Sequence, residues 1–282
     1  MTSTPDLTGK SILVTGANTG IGRVTAVTLA KRGATLTLAG RSLSRTEPVL
    51  EEIRSAGGKA SFLELDLGDL TAVARSAKTF LNSGVPLHVL VNNAGIAGQR
   101  GLTKDGFELT FGTNQLGPFL FTKLLLPLVA KAENPRIVNV ASRAHKRVDG
   151  INFDVLKQPT KTVTGFPEYC VSKLANILFT KELARGKAPS HVHNYCLHPG
   201  AVASDIFRRL GPFSALLKLF LISNEEGAQT SIHCASSPDV ASDNGLYYDK
   251  CTPRNPSAAA LDEALAKRLW DYCEEAVLPF TG

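Results

Sequence analysis

The chain has 282 residues, enough for one large domain or two small ones, and 43% of them are apolar against 20% charged. That balance excludes disorder, collagen and coiled coil, and a chain of this length buries enough surface to fold without disulfides or a metal. The net charge of +6, from 31 basic and 25 acidic residues, is scattered rather than gathered on one face, so nucleic-acid binding is not expected.

In chain order, the polar start with Pro5 and Asp6 carries neither a signal-peptide nor an anchor pattern. Short apolar runs at 11–15, 34–39, 60–65, 87–91, 136–141, 192–197 and 245–248 read as strands. Most are apolar nearly throughout, which suits a parallel sheet covered on both faces. Between them, 20–32, 43–56, 69–82, 104–131 and 167–185 carry helical patterns, and Gly33 and Gly57–Gly58 stop the first two. The expected fold is α/β: a doubly wound, mainly parallel, Rossmann-like sheet of about seven strands with helices on both faces. It forms one domain over 1–282, with elaborations at about 143–168 and 201–223.

No apolar run reaches the roughly 20 residues a membrane-spanning helix needs. Five cysteines (Cys170, Cys196, Cys234, Cys251, Cys273), odd in number and without a C-x-x-C, read as reduced thiols in a cytoplasmic protein. His191, His193 and His198 lack partner ligands, so no metal site is expected.

After the first strand stands Thr15-Gly16-Ala17-Asn18-Thr19-Gly20-Ile21-Gly22, opening a helix. A glycine loop between strand and helix lets backbone N–H groups approach a pyrophosphate, so Gly16, Asn18, Thr19, Gly20, Ile21 and Gly22 are candidate dinucleotide contacts. The second strand ends at Gly40-Arg41, where an NAD-selective site would carry a carboxylate. Arg41 offers a charge-assisted partner to a 2′-phosphate, so NADP(H) is expected over NAD(H). Asp66-Leu67 ends the third strand, where Asp66 either accepts from an adenine amino group or caps the helix starting near Asp69. Asn93, Ala94 and Gly95 follow the fourth strand at the same edge, small enough for a cofactor to lie across them.

Tyr169 and Lys173, four apart on a helix, share one face. A nearby ammonium favours the phenolate, which would lower the Tyr169 pKa and let it exchange a proton with a carbonyl or alcohol oxygen. Ser142, after the fifth strand, is placed to polarise that oxygen. Asn114, a polar residue in a helix-forming run, is a candidate to hold a water linking Lys173 to solvent, or else a structural asparagine.

Together Thr15–Gly22, Asp66-Leu67, Asn92–Gly95, Asn114, Ser142, Tyr169-x-x-x-Lys173 and Pro199-Gly200 resemble the short-chain dehydrogenase/reductase family. The resemblance implies a catalytic set of Asn114, Ser142, Tyr169 and Lys173, with Tyr169 and Lys173 also touching the cofactor. It implies a nicotinamide-side loop through Pro199, Gly200, Val202 and Ser204. Ser142 and Tyr169 stand 27 positions apart, wider than usual for the family. The intervening Ala144-His145 and 150–154, and Tyr169–Asn176, look like the retinol dehydrogenase-like branch, which includes the oxidoreductase part of the WW domain-containing member.

The expected activity is therefore NADP(H)-dependent hydride transfer between nicotinamide and a carbonyl or alcohol substrate, a lipophilic aldehyde or ketone being favoured. A non-catalytic dinucleotide sensor or interaction protein is the alternative, and a nucleotide-sugar epimerase a third reading. Apolar residues over 206–222 suggest a lid, a dimer contact or a peripheral membrane contact. A homodimer is among the assemblies the resemblance allows.

Overall fold

The computed structural model describes residues 5–200 and 222–281. Strands β1 (Ser11–Thr15), β2 (Thr35–Gly40), β3 (Lys59–Glu64), β4 (Val89–Asn92), β5 (Arg136–Val140), β6 (His193–His198), β7 (Leu246–Asp249) and β8 (Thr252–Pro253) form one sheet. Their order is β3-β2-β1-β4-β5-β6-β7-β8, and only the last pair is antiparallel. Interleaved are helices α1 (Gly20–Lys31), α2 (Leu43–Ser55), α3 (Leu70–Asn82), α4 (Leu109–Phe111), α5 (Gly117–Val129), α6 (Phe166–Glu182), α7 (Asn224–Ser236) and α8 (Glu263–Val277).

The strands are apolar throughout because both faces are covered. In β1, Leu13 enters the core beneath α3, α5, α6 and α8, while Ile12 and Val14 enter the core beneath α1, α2 and α7. In β4, Leu90 faces the first core, and Val89 and Val91 the second. This alternation is the two-residue period of a strand read on two buried sides. Strand order reverses between β1 and β4, and the carboxyl edge there is where such sheets bind ligands.

Three expectations are corrected. The sheet has an eighth strand: β7 and β8 join through Lys250 (φ +53°) and Cys251 (φ +57°), a hairpin turn made without the glycine or asparagine that normally announces it. The helix expected over 104–131 begins only at Leu109. Before it, the Thr103 hydroxyl accepts from the Phe107 N–H at 3.2 Å, and Lys104 N–H donates to the Gly68 carbonyl at 3.1 Å, tying the segment down in turns. Between α4 and α5, Gly112–Leu116 winds into a π-helical turn. Two helices also went unassigned in the sequence. For α7 the signal was a capping box, Ser223 with Glu226. For α8 it was the helical spacing of Ala266, Leu269, Trp270, Cys273 and Val277, all buried.

Within 143–168, Ile151, Phe153 and Leu156 are buried in the first core, and Glu108 N–H donates to the Leu156 carbonyl at 2.8 Å. The middle of this elaboration is thus anchored to the body of the fold. The residues over 201–221, including Val202, Ser204 and nearly all of the apolar 206–222 segment, lie outside the described residues.

Candidate active site

The loop after β1 is shaped by contact with the loop after β4. Gly16 has φ +66°, and a Cβ there would lie 2.9 Å from the Ala94 Cα. A Cβ on Gly22 would lie 2.4 Å from both the Gly16 carbonyl oxygen and the Asn93 Nδ2. Asn93 Nδ2 donates to the Thr15 and Gly16 carbonyls at 2.9 and 3.2 Å, and the Thr15 hydroxyl accepts from the Asn93 and Ala94 N–H groups at 3.0 Å. Asn93 and Ala94 therefore hold the glycine loop in place, a role their position alone did not reveal.

That loop fits a dinucleotide. Thr19 precedes α1 in extended conformation with no side-chain cap, and the first turn holds no acidic residue, so its N–H groups and the helix dipole are open to an anion. Asn224 at the start of α7 has a buried Oδ1 without a partner among the described residues, 3.7 Å from where a Gly20 Cβ would stand. Asn18, Thr19, Gly20 and Ile21 line this same turn at the carboxyl edge.

Gly40 ends β2, and Arg41 is exposed and makes no salt bridge among the described residues. Ser42 caps α2 through the Arg45 N–H. Of the two readings of the β3 edge, capping falls to Asp69, which accepts from Ala72 N–H at 2.9 Å. Asp66 instead accepts from Gly68 N–H at 2.9 Å, at the carboxyl edge. Leu67 is core, with Gly117 packed so closely that a Cβ would come within 2.4 Å of the Leu67 carbonyl oxygen.

The four expected reacting residues converge from three places: the turn carrying Asn114, the loop after β5 and helix α6. Ser142 caps a short 3-10 turn by accepting from Ala144 N–H at 3.2 Å, and its side chain lies close enough to the Tyr169 phenol to draw that group's pKa down against burial. Tyr169 lies in the first turns of α6, one turn before Lys173, whose Nζ is 5.7 Å from the phenol ring centre. Lys173 Nζ donates to the Val140 carbonyl at 2.7 Å and to Asn176 Oδ1 at 3.2 Å. Gly95 borders the group: a Cβ there would stand 3.3 Å from Asn114 Oδ1 and 3.6 Å from Lys173 Nζ.

One expectation about this chemistry is revised. The Tyr169 pKa is raised, not lowered: burial outweighs the pull of Ser142, and the Lys173 ammonium is engaged elsewhere. Burial likewise pushes Lys173 down to about 8. The Asn114 side chain is fully occupied, accepting from Ile96 N–H (2.8 Å) and donating to the Ile96 carbonyl (2.9 Å) and the Ser172 hydroxyl (3.0 Å). Its backbone carbonyl accepts from Asn176 Nδ2 at 2.8 Å, and Asn176 Oδ1 in turn accepts from Lys173 Nζ, so Asn176 bridges Asn114 and Lys173.

Elsewhere on the edge, His198 accepts Arg143 N–H at 3.3 Å, and burial pushes its pKa down to about 4. His191 and His193 meet the Ala130 and Asp243 carbonyls. Gly200 has φ +93°, and Ile222 fills the space a Cβ would take. Asn176 and Gln115 were not singled out from the sequence. The available signal was spacing, since Asn176 lies three residues after Lys173 and seven after Tyr169, on the same helix face.

Comparison with known proteins agrees with this geometry. A family profile described as short chain dehydrogenase matches residues 10–214. Human retinol dehydrogenase 11 is 43% identical over 99% of this chain and 89% of its own length. Human retinol dehydrogenase 14 is 39% identical over 95% of this chain and 86% of its own. Among solved structures, a putative uncharacterized protein from Mycobacterium paratuberculosis superposes with a TM-score of 0.78 at 32% identity, covering 97% of this chain and 95% of that one.

Proposed function

Because this chain belongs to the short-chain dehydrogenase/reductase family, in its retinol dehydrogenase-like branch, we propose that it reduces lipophilic aldehydes or ketones with NADPH. A dinucleotide-dependent oxidoreductase is what the family membership itself establishes. The observation that carries the finer reading is the convergence of Ser142, Tyr169 and Lys173 beside Gly95, at the sheet edge that holds the glycine loop.

When bound, the reduced nicotinamide supplies the hydride. The chain's own groups handle the carbonyl oxygen and the proton. Ser142 accepts from Ala144 N–H and keeps a hydroxyl proton to share with Tyr169 and a substrate oxygen. Burial keeps the Tyr169 phenol protonated at neutral pH, so it is poised to donate as general acid while the hydride reaches the carbonyl carbon. Lys173, charged over most of the physiological range at a pKa of about 8, would steady the phenolate left behind and hold ribose hydroxyls.

Arg41 supports the NADP(H) preference, standing free and exposed where a carboxylate would exclude a 2′-phosphate. Apolar surface flanks the phenol: the Phe166 ring, 39% exposed, stacks 6.2 Å from the Tyr169 ring. That surface, with relatives named for retinol, supports a lipophilic substrate. Five cysteines without disulfides support a reducing, cytoplasmic setting. No helix among the described residues is long and apolar enough to cross a membrane.

The test is NADPH consumption against aldehydes and ketones of rising chain length. Turnover should rise with chain length and fall about 100- to 10,000-fold in Tyr169→Phe, with NADPH affinity within about threefold. Tight NADPH binding without turnover of any carbonyl would leave a dinucleotide sensor. Undiminished turnover in Tyr169→Phe would remove the phenol from its role.

A further inference from the structure

Behind the reacting groups runs a buried polar chain that the four expected residues do not complete. Asn176 sits at its centre, 6% exposed. Its Oδ1 accepts from Lys173 Nζ at 3.2 Å, and its Nδ2 donates to the Asn114 carbonyl at 2.8 Å and to Gln115 Oε1 at 3.0 Å. The orientation of this amide follows from its partners. An ammonium only donates and a carbonyl only accepts, so the oxygen must face Lys173 and the nitrogen Asn114. Gln115 completes the chain, its Nε2 reaching Cys273 Sγ at 4.0 Å.

We propose that Asn176 is the positioning residue of this site, holding the Lys173 ammonium in register with Tyr169 and tying it to the π-helical turn that carries Asn114. The proposal rests on the reading of Lys173 as a partner of Tyr169 in carbonyl reduction.

The geometry gives two reasons. First, among the described residues the Lys173 ammonium has two acceptors, the Val140 carbonyl at the end of β5 and Asn176. The first pulls it toward the sheet and the second toward Asn114, so together they fix the lysine's direction. Second, Gly112–Leu116 departs from α-helical winding where Asn114 sits, a winding that is rare and recurs at functional sites, and its Asn114 carbonyl is bonded from outside the turn. Asn176 supplies that bond, donating to the Asn114 carbonyl from α6. An amide accepts from the ammonium without exchanging a proton with it. Asn176 therefore holds charge in place rather than passing it on.

The other titratable group facing Lys173 is the Tyr169 phenol, on the same helix. Among the described residues no carboxylate, guanidinium or imidazole offsets the burial that lowers the Lys173 pKa. An acceptor on the ammonium should therefore be visible in its titration.

The experiment follows the Lys173 titration by NMR in protein with 13C-labelled lysine, its signal assigned by loss in Lys173→Met, without added dinucleotide. Asn176→Leu removes the acceptor, and the Lys173 midpoint should fall by about one pH unit. Asn176→Asp places a carboxylate there, and the midpoint should rise by about one unit or more. In parallel, the alkaline limb of the pH profile for carbonyl reduction should move in the same two directions. The kcat of Asn176→Leu at pH 7 should fall about 10-fold or more, with KM for the carbonyl changed less than about threefold. Should Asn176→Leu fail to fold, the upward shift in Asn176→Asp carries the test alone. A Lys173 midpoint unmoved in either folded variant overturns the proposal. Shifted midpoints in a protein that reduces no carbonyl would uphold Asn176 as the holder of Lys173 and refute the enzymatic reading instead.

Discussion

Gly22→Ala separates two physical accounts of the glycine loop by the sign of one number. Gly22 lies inside α1, where alanine is the better helix former by about 1 kcal/mol, so local propensity alone makes the variant more stable. The tertiary contacts argue the reverse. The new Cβ would sit 2.4 Å from the Gly16 carbonyl oxygen and 2.4 Å from Asn93 Nδ2, and ordinary contact begins near 3.4 Å. Each neighbour must therefore retreat by about 1 Å. Asn93 is short and pinned by bonds to the Thr15 and Gly16 carbonyls, so retreat breaks both, at about 1 kcal/mol each. Residual overpacking adds about 1–3 kcal/mol. After the helical gain is subtracted, the net loss is about 2–4 kcal/mol, or about 3–7 °C in Tm for a chain of this size. The displaced loop should also raise the Kd for NADPH at least about tenfold, because its N–H groups no longer converge on the pyrophosphate. Thermal unfolding with and without NADPH reads both effects. A Tm equal to or above the parent's would refute the packing argument and leave helix propensity in charge.

Arg41→Ala should raise the Kd for NADPH about tenfold while leaving that for NADH within about threefold, measured by fluorescence titration; equal effects on both would defeat the NADP(H) assignment. His198 gives a pH dependence of stability. Its folded pKa of about 4 lies below the unfolded value near 6.5, so the unfolded chain binds the proton first and stability falls as pH drops from 6.5 toward 4. This group should cost about 2 kcal/mol between pH 7 and 5 in urea unfolding, and His198→Asn should lose that slope; an unchanged slope would mean His198 is not held neutral.

Much of this protein was legible before any coordinates. The alternation of apolar runs with helical patterns named the doubly wound sheet, because burial on two faces writes itself into each strand separately. The spacing of Gly16, Gly20 and Gly22, and the four-residue step from Tyr169 to Lys173, are also local, and such patterns survive in one dimension. The hairpin at Lys250-Cys251 left no such trace, since its positive φ angles are imposed on residues that do not advertise them. The π-helical turn around Asn114 left none either, and its bond to Asn176 joins residues 62 positions apart.

The chemistry of the site was decided in three dimensions. Adjacency of Tyr169 and Lys173 suggested a phenol eased toward ionisation, yet the fold turns the ammonium toward Val140 and Asn176 and buries the phenol, holding its proton on. A pKa is set by everything within a few ångströms, and here that surrounding comes from β5, the Asn114 turn and the loop after β4. Sequence determined which groups the site contains. Only tertiary packing determined which of them touch, because desolvation and hydrogen-bond partners belong to the assembled neighbourhood and not to any segment of the chain.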